Sequence, residues 1–316
     1  MRRRRRRRPA RRRRPVPEKP TVAVIGLGNM GFPMLSRLAD AGFPVRGFDV
    51  APGAVERVAA IGATGCATAA EAVTGSEVVL LMLPNSAIVT AVVDELLGAG
   101  VDSGSALAPG TLLLDMSSSE PLATQALAER LAGHGIPLVD APVSGGVKGA
   151  ERGTLAIMAG GEPAEVDRAE VVLSVLGKVT RTGAVGSGHA LKALNNLLSA
   201  THLWATSEVM IAGQRFGLDP EIMLAVFNAA SGRSGSTDNK WPNFILPGGY
   251  DSGFGLRLML KDMRIAQGLT ESTGAYHRLA DEAVAHWAEA ADALEPTADH
   301  TEVARWIADA AAAAQD

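Results

Sequence analysis

Val22-Ala23-Val24-Ile25-Gly26-Leu27-Gly28-Asn29-Met30-Gly31 decides how the rest of the chain is read. Its first four residues, small and β-branched, read as a short buried strand. G-x-G-x-x-G follows at once, and a helical pattern then runs over about 32–41 until Gly42 stops it. Gly26 suits a tight turn, Gly28 lets backbone approach a pyrophosphate, and Gly31 lets helix pack on strand. The free N–H groups of the helix N-terminus then face the phosphates. The motif alone is weak, but here it has the strand before it and the helix after it that the reading requires. Gly26, Leu27, Gly28, Asn29, Met30 and Gly31 are therefore predicted to cradle a dinucleotide.

Working outward, Val45-Arg46-Gly47-Phe48-Asp49 reads as a second strand ending in a carboxylate. Asp49 stands close to the usual distance, about 20 residues past the glycines, for a group that accepts the ribose hydroxyls of NAD. It would repel the 2′-phosphate of NADP, and no arginine follows at the strand tip, so NAD is expected over NADP. Strand-like and helical stretches keep alternating as far as Asp140, which predicts a doubly wound parallel sheet. Ligands of such sheets sit outside the carboxyl ends of the strands. Pro84, Asn85, Ser117 and Ser118 fall at those ends and become cofactor-side candidates by position.

Asp140-Ala141-Pro142-Val143-Ser144-Gly145-Gly146 comes next. Adjacent glycines after a serine permit a concave run of backbone N–H groups, a nest for an anion such as a carboxylate. The same residues also read as a plain Gly-rich turn into a strand at 154–159. After Gly186 the alternation stops. Residues 187–216 carry a helical pattern, apolar on nearly every face, which another helix or subunit must bury. Lys192 and Asn196, four residues apart at its start, lie on one helical face. Further helices are expected at 220–230, 256–273, 275–293 and 299–314, and 231–253, rich in Gly, Ser, Asn and Pro, is expected to be a loop. Lys261-Asp262, flanked by Leu and Met, lies either on a solvated stripe, which pattern alone slightly favours, or in a polar pocket.

Composition sets limits. The 316 residues are 47% hydrophobic, enough for two cores, and contain no apolar run long enough to span a membrane. Cys66 stands alone, which suits a reducing, cytoplasmic setting and excludes a cysteine-based zinc site; the six histidines lack metal-ligand spacing. Residues 1–20 hold 12 basic groups against Glu18, leaving 18 basic and 33 acidic groups beyond them. The Arg- and Pro-rich segment 1–20 is expected to be a disordered tail, with no apolar stretch after it to make a secretory signal. An acidic body is a poor match for nucleic acid.

The stretches GLGNMG at 26–31, DAPVSGGVKGAERGTLAIMAGG at 140–161, GSGHALKALNN at 186–196 and KDMRIA at 261–266 together resemble the β-hydroxyacid dehydrogenase family. That family includes 3-hydroxyisobutyrate dehydrogenases, tartronate semialdehyde reductases and, more distantly, 6-phosphogluconate dehydrogenase. The resemblance implies a Rossmann domain over 21–186 and an all-helical domain over 187–316, assembled as a dimer or tetramer. It implies that Lys192 is the catalytic acid/base and that Asn196 orients it and the substrate. It further implies that Ser144, Gly145 and Gly146 hold the substrate carboxylate, that Lys261 closes over substrate and nicotinamide, and that Leu83, Pro84 and Ser118 line the cofactor. The expected reaction is hydride transfer between NAD and a small 3-hydroxy acid. An imine reductase shares the fold but usually carries Asp or Tyr where this chain has Lys192. The same frame would also serve a semialdehyde reductase or a non-catalytic dinucleotide-binding protein. The 231–236 loop starts like the 3-hydroxyisobutyrate enzymes and departs after Arg233, so the substrate stays open.

Overall fold

The computed structural model describes residues 19–98 and 104–313. Nearly all of the tail expected over 1–20 lies outside the described residues. Strand β1 (Val22–Ile25) passes through the glycine loop into helix α1 (Gly31–Asp40). The alternation continues with β2 (Val45–Phe48), α2 (Ala54–Ala60), β3 (Thr64–Gly65), α3 (Ala69–Val73), β4 (Val78–Leu81) and α4 (Ser86–Leu96). It closes with β5 (Leu112–Asp115), α5 (Pro121–Ala132) and β6 (Leu138–Asp140). These strands pair in parallel in the order β3-β2-β1-β4-β5-β6. The direction of winding reverses between β1 and β4, the crevice where a dinucleotide crosses such a sheet.

Both faces of the sheet are covered, so its strands are apolar throughout rather than alternating. Val22 and Val24 of β1 pack with Met34, Leu35 and Leu38 of α1 on one side. Ala23 and Ile25 pack with Val89 and Val93 of α4 on the other. All four β1 side chains are buried, as the period of two along a strand requires when both faces are covered.

The sheet is not wholly parallel. After β6 come β7 (Val143–Ser144), α6 (Gly146–Arg152), β8 (Leu155–Gly160), α7 (Pro163–Leu176) and β9 (Gly177–Gly183). β8 runs antiparallel to β6 and to β7, and β9 runs parallel to β8. The link from β7 to β8 is shorter than the dozen or so residues that a parallel crossover needs. The expectation of a Gly-rich turn leading straight into the strand is corrected here, because α6 intervenes.

The rest of the described chain is helical. α8 (Ser187–Phe216) matches the long segment read from the sequence and is followed by α9 (Pro220–Ala229). Then come α10 (Leu256–Thr273), α11 (Arg278–Ala293), a 3-10 turn (His300–Glu302) and α12 (Val303–Ala313). Leu203 and Met210 of α8, Met263 of α10, Trp287 of α11 and Val303 of α12 share one buried cluster. The loop expected over 231–253 is corrected: Ser236–Ile245 forms a π-helix with Pro242 inside it. Burial of Trp241 and Ile245 in the helical core overrides a turn-forming composition. Among the described residues no helix is long and apolar enough to cross a membrane.

Candidate active site

The glycine loop owes its shape to close backbone approach. A Cβ on Gly26, where φ is +95°, would run into the carbonyl of Met82, and one on Gly31 would run into the carbonyl of Gly26. A Cβ on Gly28 would meet nothing within 4 Å, so open space lies where a phosphate must come close to the backbone. Gly26, Gly28, Asn29, Met30, Gly31, Asp49, Leu83 and Pro84 line one cavity of about 420 Å³. Leu27 contributes only backbone, since its side chain turns into the core. Its N–H donates to Asp49 Oδ2 at 2.5 Å and its carbonyl accepts from Arg57 Nη2 at 2.7 Å. Arg57, also stacked on Phe32 at 4.4 Å, braces the loop. Sequence reading missed it, for an arginine on a short surface helix gives no signal.

Ser118 and Lys261 line a second cavity, of about 680 Å³, together with Asn85. Lys261 Nζ donates to Ser118 O at 3.0 Å and to Pro84 O at 3.4 Å. The α10 lysine thus bridges to the loops after β4 and β5. Ser117 is used inside the protein: its Oγ accepts the N–H of Leu83 at 2.9 Å.

The first turn of α8 is fixed from outside the helix. A helix N-terminus leaves N–H groups without partners. Here the carboxylate of Asp140, at the end of β6, accepts Gly186 N at 2.6 Å and His189 N at 2.8 Å. Burial pushes the Asp140 carboxyl above its ordinary pKa, opposed by His189 and by these N–H donors. The His189 ring shares a hydrogen bond with Thr124 Oγ1 at 2.8 Å and another with the carbonyl of Ser117 at 3.1 Å. Asp140 and His189 stand inside the quoted motifs, yet no positioning role was read for them. Their partners are far away in sequence.

One turn further on, Lys192 Nζ donates to Ser144 Oγ at 2.9 Å, joining α8 to the Ser144–Gly145–Gly146 turn. Gly145 and Gly146 have φ of +128° and +61°, so both glycines are required by conformation. Beyond Gly146 there is again nothing within 4 Å of a built Cβ. Asn196 Nδ2 donates to Asp262 Oδ2 at 2.7 Å, and Lys261 Nζ stands 3.3 Å from Asp262 Oδ1. The solvated stripe read from the pattern is therefore corrected: Asp262 is 2% exposed, and Asn196, which it binds, and Lys192, whose charge it influences, are 6% and 7% exposed. Burial lowers the Lys192 pKa, Asp262 pulls it back up, and Lys261 lowers it further. The structure thus joins Ser144 to Lys192, and Asn196 to Asp262 and Lys261, while Asp262, whose role sequence reading missed, acts on the Lys192 charge.

Residues 21–186 match the NAD-binding domain of 6-phosphogluconate dehydrogenase. Residues 186–307 match the NAD-binding domain of NADP-dependent 3-hydroxyisobutyrate dehydrogenase. The chain belongs to the β-hydroxyacid dehydrogenase family. It is an enzyme of nicotinamide-dependent hydroxy-acid oxidoreduction. It is 39% identical over 246 residues to 2-(hydroxymethyl)glutarate dehydrogenase of Eubacterium barkeri, covering 78% of this chain and 80% of that one. The solved structure of Mycobacterium tuberculosis 3-hydroxyisobutyrate dehydrogenase with L-serine is similar at 34% identity and a TM-score of 0.85, over 92% of this chain and 99% of that one. An imine reductase from Myxococcus stipitatus shares the fold at 20% identity and a TM-score of 0.61, over 92% of this chain and 99% of that one.

Proposed function

We propose that this enzyme oxidises the primary carbinol of a 3-hydroxy carboxylic acid with NAD, using Lys192 as the general base. The observation that carries the reading is the contact between the buried Lys192 Nζ and Ser144 Oγ beside the open Gly146 turn. A base works best with its pKa near the working pH, and burial moves this lysine in that direction. The Ser144–Gly146 turn receives the substrate carboxylate, which sets the carbinol against Lys192 Nζ. Bound NAD supplies the hydride acceptor. As hydride leaves the carbinol carbon, Lys192 Nζ takes the hydroxyl proton, and the product is a semialdehyde; the reverse reaction returns that proton. Asn196, tied to Asp262, and Lys261, tied to the loops after β4 and β5, hold the two halves of the site in register.

The substrate class is supported by chemistry common to three molecules. 3-Hydroxyisobutyrate, 2-(hydroxymethyl)glutarate and L-serine, named with the similar proteins, are all a hydroxymethyl group next to a carbon bearing a carboxylate. They differ only in the third substituent. NAD is favoured over NADP because Asp49 lines the ribose end of the loop cavity. Gly186, where the two family matches meet, divides a cofactor-binding unit over 21–186 from a substrate and oligomerisation unit over 187–316. Exposed Leu191, Leu194, Leu198 and Val209 on α8 support a homodimer or homotetramer. The lone, buried Cys66 supports a cytoplasmic setting.

The test is a reduction screen with NAD and with NADP across 3-hydroxy acids of differing third substituent. Turnover of at least one such acid, faster with NAD, is the expected result. Activity confined to secondary amines would overturn the 3-hydroxy acid reading.

A further inference from the structure

Lys240 is a part-buried lysine that the chemistry above does not use. It projects from the π-helix onto α8, where its Nζ donates to Ser199 Oγ at 2.8 Å and to Ser199 O at 3.4 Å. Ser199 follows Lys192 by seven residues and Asn196 by three, so all three share one face of α8. No carboxylate among the described residues forms an ion pair with Lys240. The acidic group it feels is Asp299. That carboxylate is already taken by Ser252 Oγ, Gly253 N, Phe254 N, Thr301 N and Thr301 Oγ1. Burial therefore prevails and draws the Lys240 pKa down to about 8.

A lysine held largely out of water without a counter-ion is costly, and an anionic group would complete it. The geometry says where that anion would come from. The same Asp299 holds the backbone of Phe254, and the Phe254 ring lies 6.0 Å from Lys192 Nζ. Lys192 and the Ser199 that Lys240 binds thus lie on one α8 face, with an aromatic ring beside Lys192. At 1.5 Å per residue, the α-carbons of Lys192 and Ser199 are about 10 Å apart. A substrate reaching from Lys192 to Lys240 must therefore carry its two polar groups several carbon–carbon bonds apart.

We propose that Lys240 determines specificity by receiving a second acidic group of the substrate. The preferred substrate is then a dicarboxylic 3-hydroxy acid, with its far carboxylate a few methylenes from the carbinol. This inference rests on the 3-hydroxy acid reading and narrows it. One carboxylate goes to the Ser144–Gly146 turn, the hydroxyl to Lys192, the methylenes along Phe254 and the far carboxylate to Lys240. The hydroxymethylglutarate enzyme's namesake has this pattern of groups; the 3-hydroxyisobutyrate pattern lacks the far carboxylate.

The experiment compares 2-(hydroxymethyl)glutarate with 3-hydroxyisobutyrate in the unmodified enzyme, Lys240→Gln and Lys240→Met. Gln keeps a donor for Ser199 while removing the charge, so it preserves packing if Met does not. The unmodified enzyme should show a higher kcat/KM on the dicarboxylate. Lys240→Gln should lower that value on the order of tenfold to a hundredfold, mainly through KM, as loss of a charged hydrogen bond implies. The monocarboxylate should change by less than about threefold. Glutarate should inhibit the unmodified enzyme competitively and Lys240→Gln much more weakly. Equal losses on both substrates, or a preference for the monocarboxylate, would overturn the proposal while leaving the 3-hydroxy acid reading intact. Turnover of no 3-hydroxy acid would remove both.

Discussion

The glycine loop after β1 and the seam between α8 and α10, the two parts of the proposed site, are built in opposite ways. The loop is made of backbone. Its shape follows from contacts between Gly26, Gly31 and the Met82 carbonyl, within and beside one β-α unit. The seam is made of side chains whose partners lie 48 residues away for Lys192 and Ser144, and 66 for Asn196 and Asp262. A backbone cradle tolerates changes in its lining side chains and fails when a glycine gains a Cβ. A side-chain seam loses its function when one polar partner is removed, and loses stability as well where the group left behind is buried, as at Asn196 and Asp262.

The sharpest way to separate the two regions is Lys192→Met. General acid–base groups contribute about 10²–10⁴-fold to rate, so kcat should fall by at least that lower figure. NAD affinity, set by the loop, should stay near the parent value, as should the melting temperature. Near-normal turnover would sink the mechanism, and a large loss of NAD binding would mean that the two regions are not separable.

Asp140→Ala attacks the seam from below. It strips the N–H groups of Gly186 and His189 of their acceptor. A loss of about 1–3 kcal/mol in unfolding free energy is expected from such orphaned donors, measured by urea denaturation. Asp140→Asn retains an acceptor oxygen and should recover part of it. Equal stability of both variants with the parent would show that the α8 terminus does not depend on this carboxylate.

On the loop side, Asp49→Ala should weaken NAD roughly tenfold, as loss of a charged hydrogen bond implies, and narrow the preference over NADP. The turnover at saturating NAD should hold, unlike that of Lys192→Met. Titration of both cofactors by fluorescence reads this directly; an unchanged NAD/NADP ratio would take Asp49 out of the discrimination.

The smallest effect is a displacement in pH. Lys192 must be unprotonated to accept a proton, so activity in the oxidative direction rises with pH through its pKa. Asp262 raises that pKa. Asp262→Asn removes the negative charge, so the rising limb of kcat against pH should move to lower pH while a partner for Asn196 remains. A limb that stays put, or moves upward, would assign the limb to a different group.

The sequence by itself determined the β-α frame, the glycine loop with Asp49 beyond it, the extent of α8 and the placing of Lys192 and Asn196 on one face of it. All are local: a period of two, a period of 3.6, or glycines at the spacing one turn requires. Only the tertiary structure decided that Asp262 lies in the site, that Asp140 and His189 anchor α8, and that 236–245 is helical. Lys261-Asp262 read as a solvated stripe because its own helix carries no sign of what packs against it. Residues 231–253 read as a loop because turn-forming residues dominate the composition, whereas the burial of Trp241 and Ile245 is supplied by helices distant in sequence. The same distance hid Lys240, whose neighbour Ser199 lies 41 residues back. A buried charge is recognised by what surrounds it, and those surroundings come from parts of the chain that no local pattern connects.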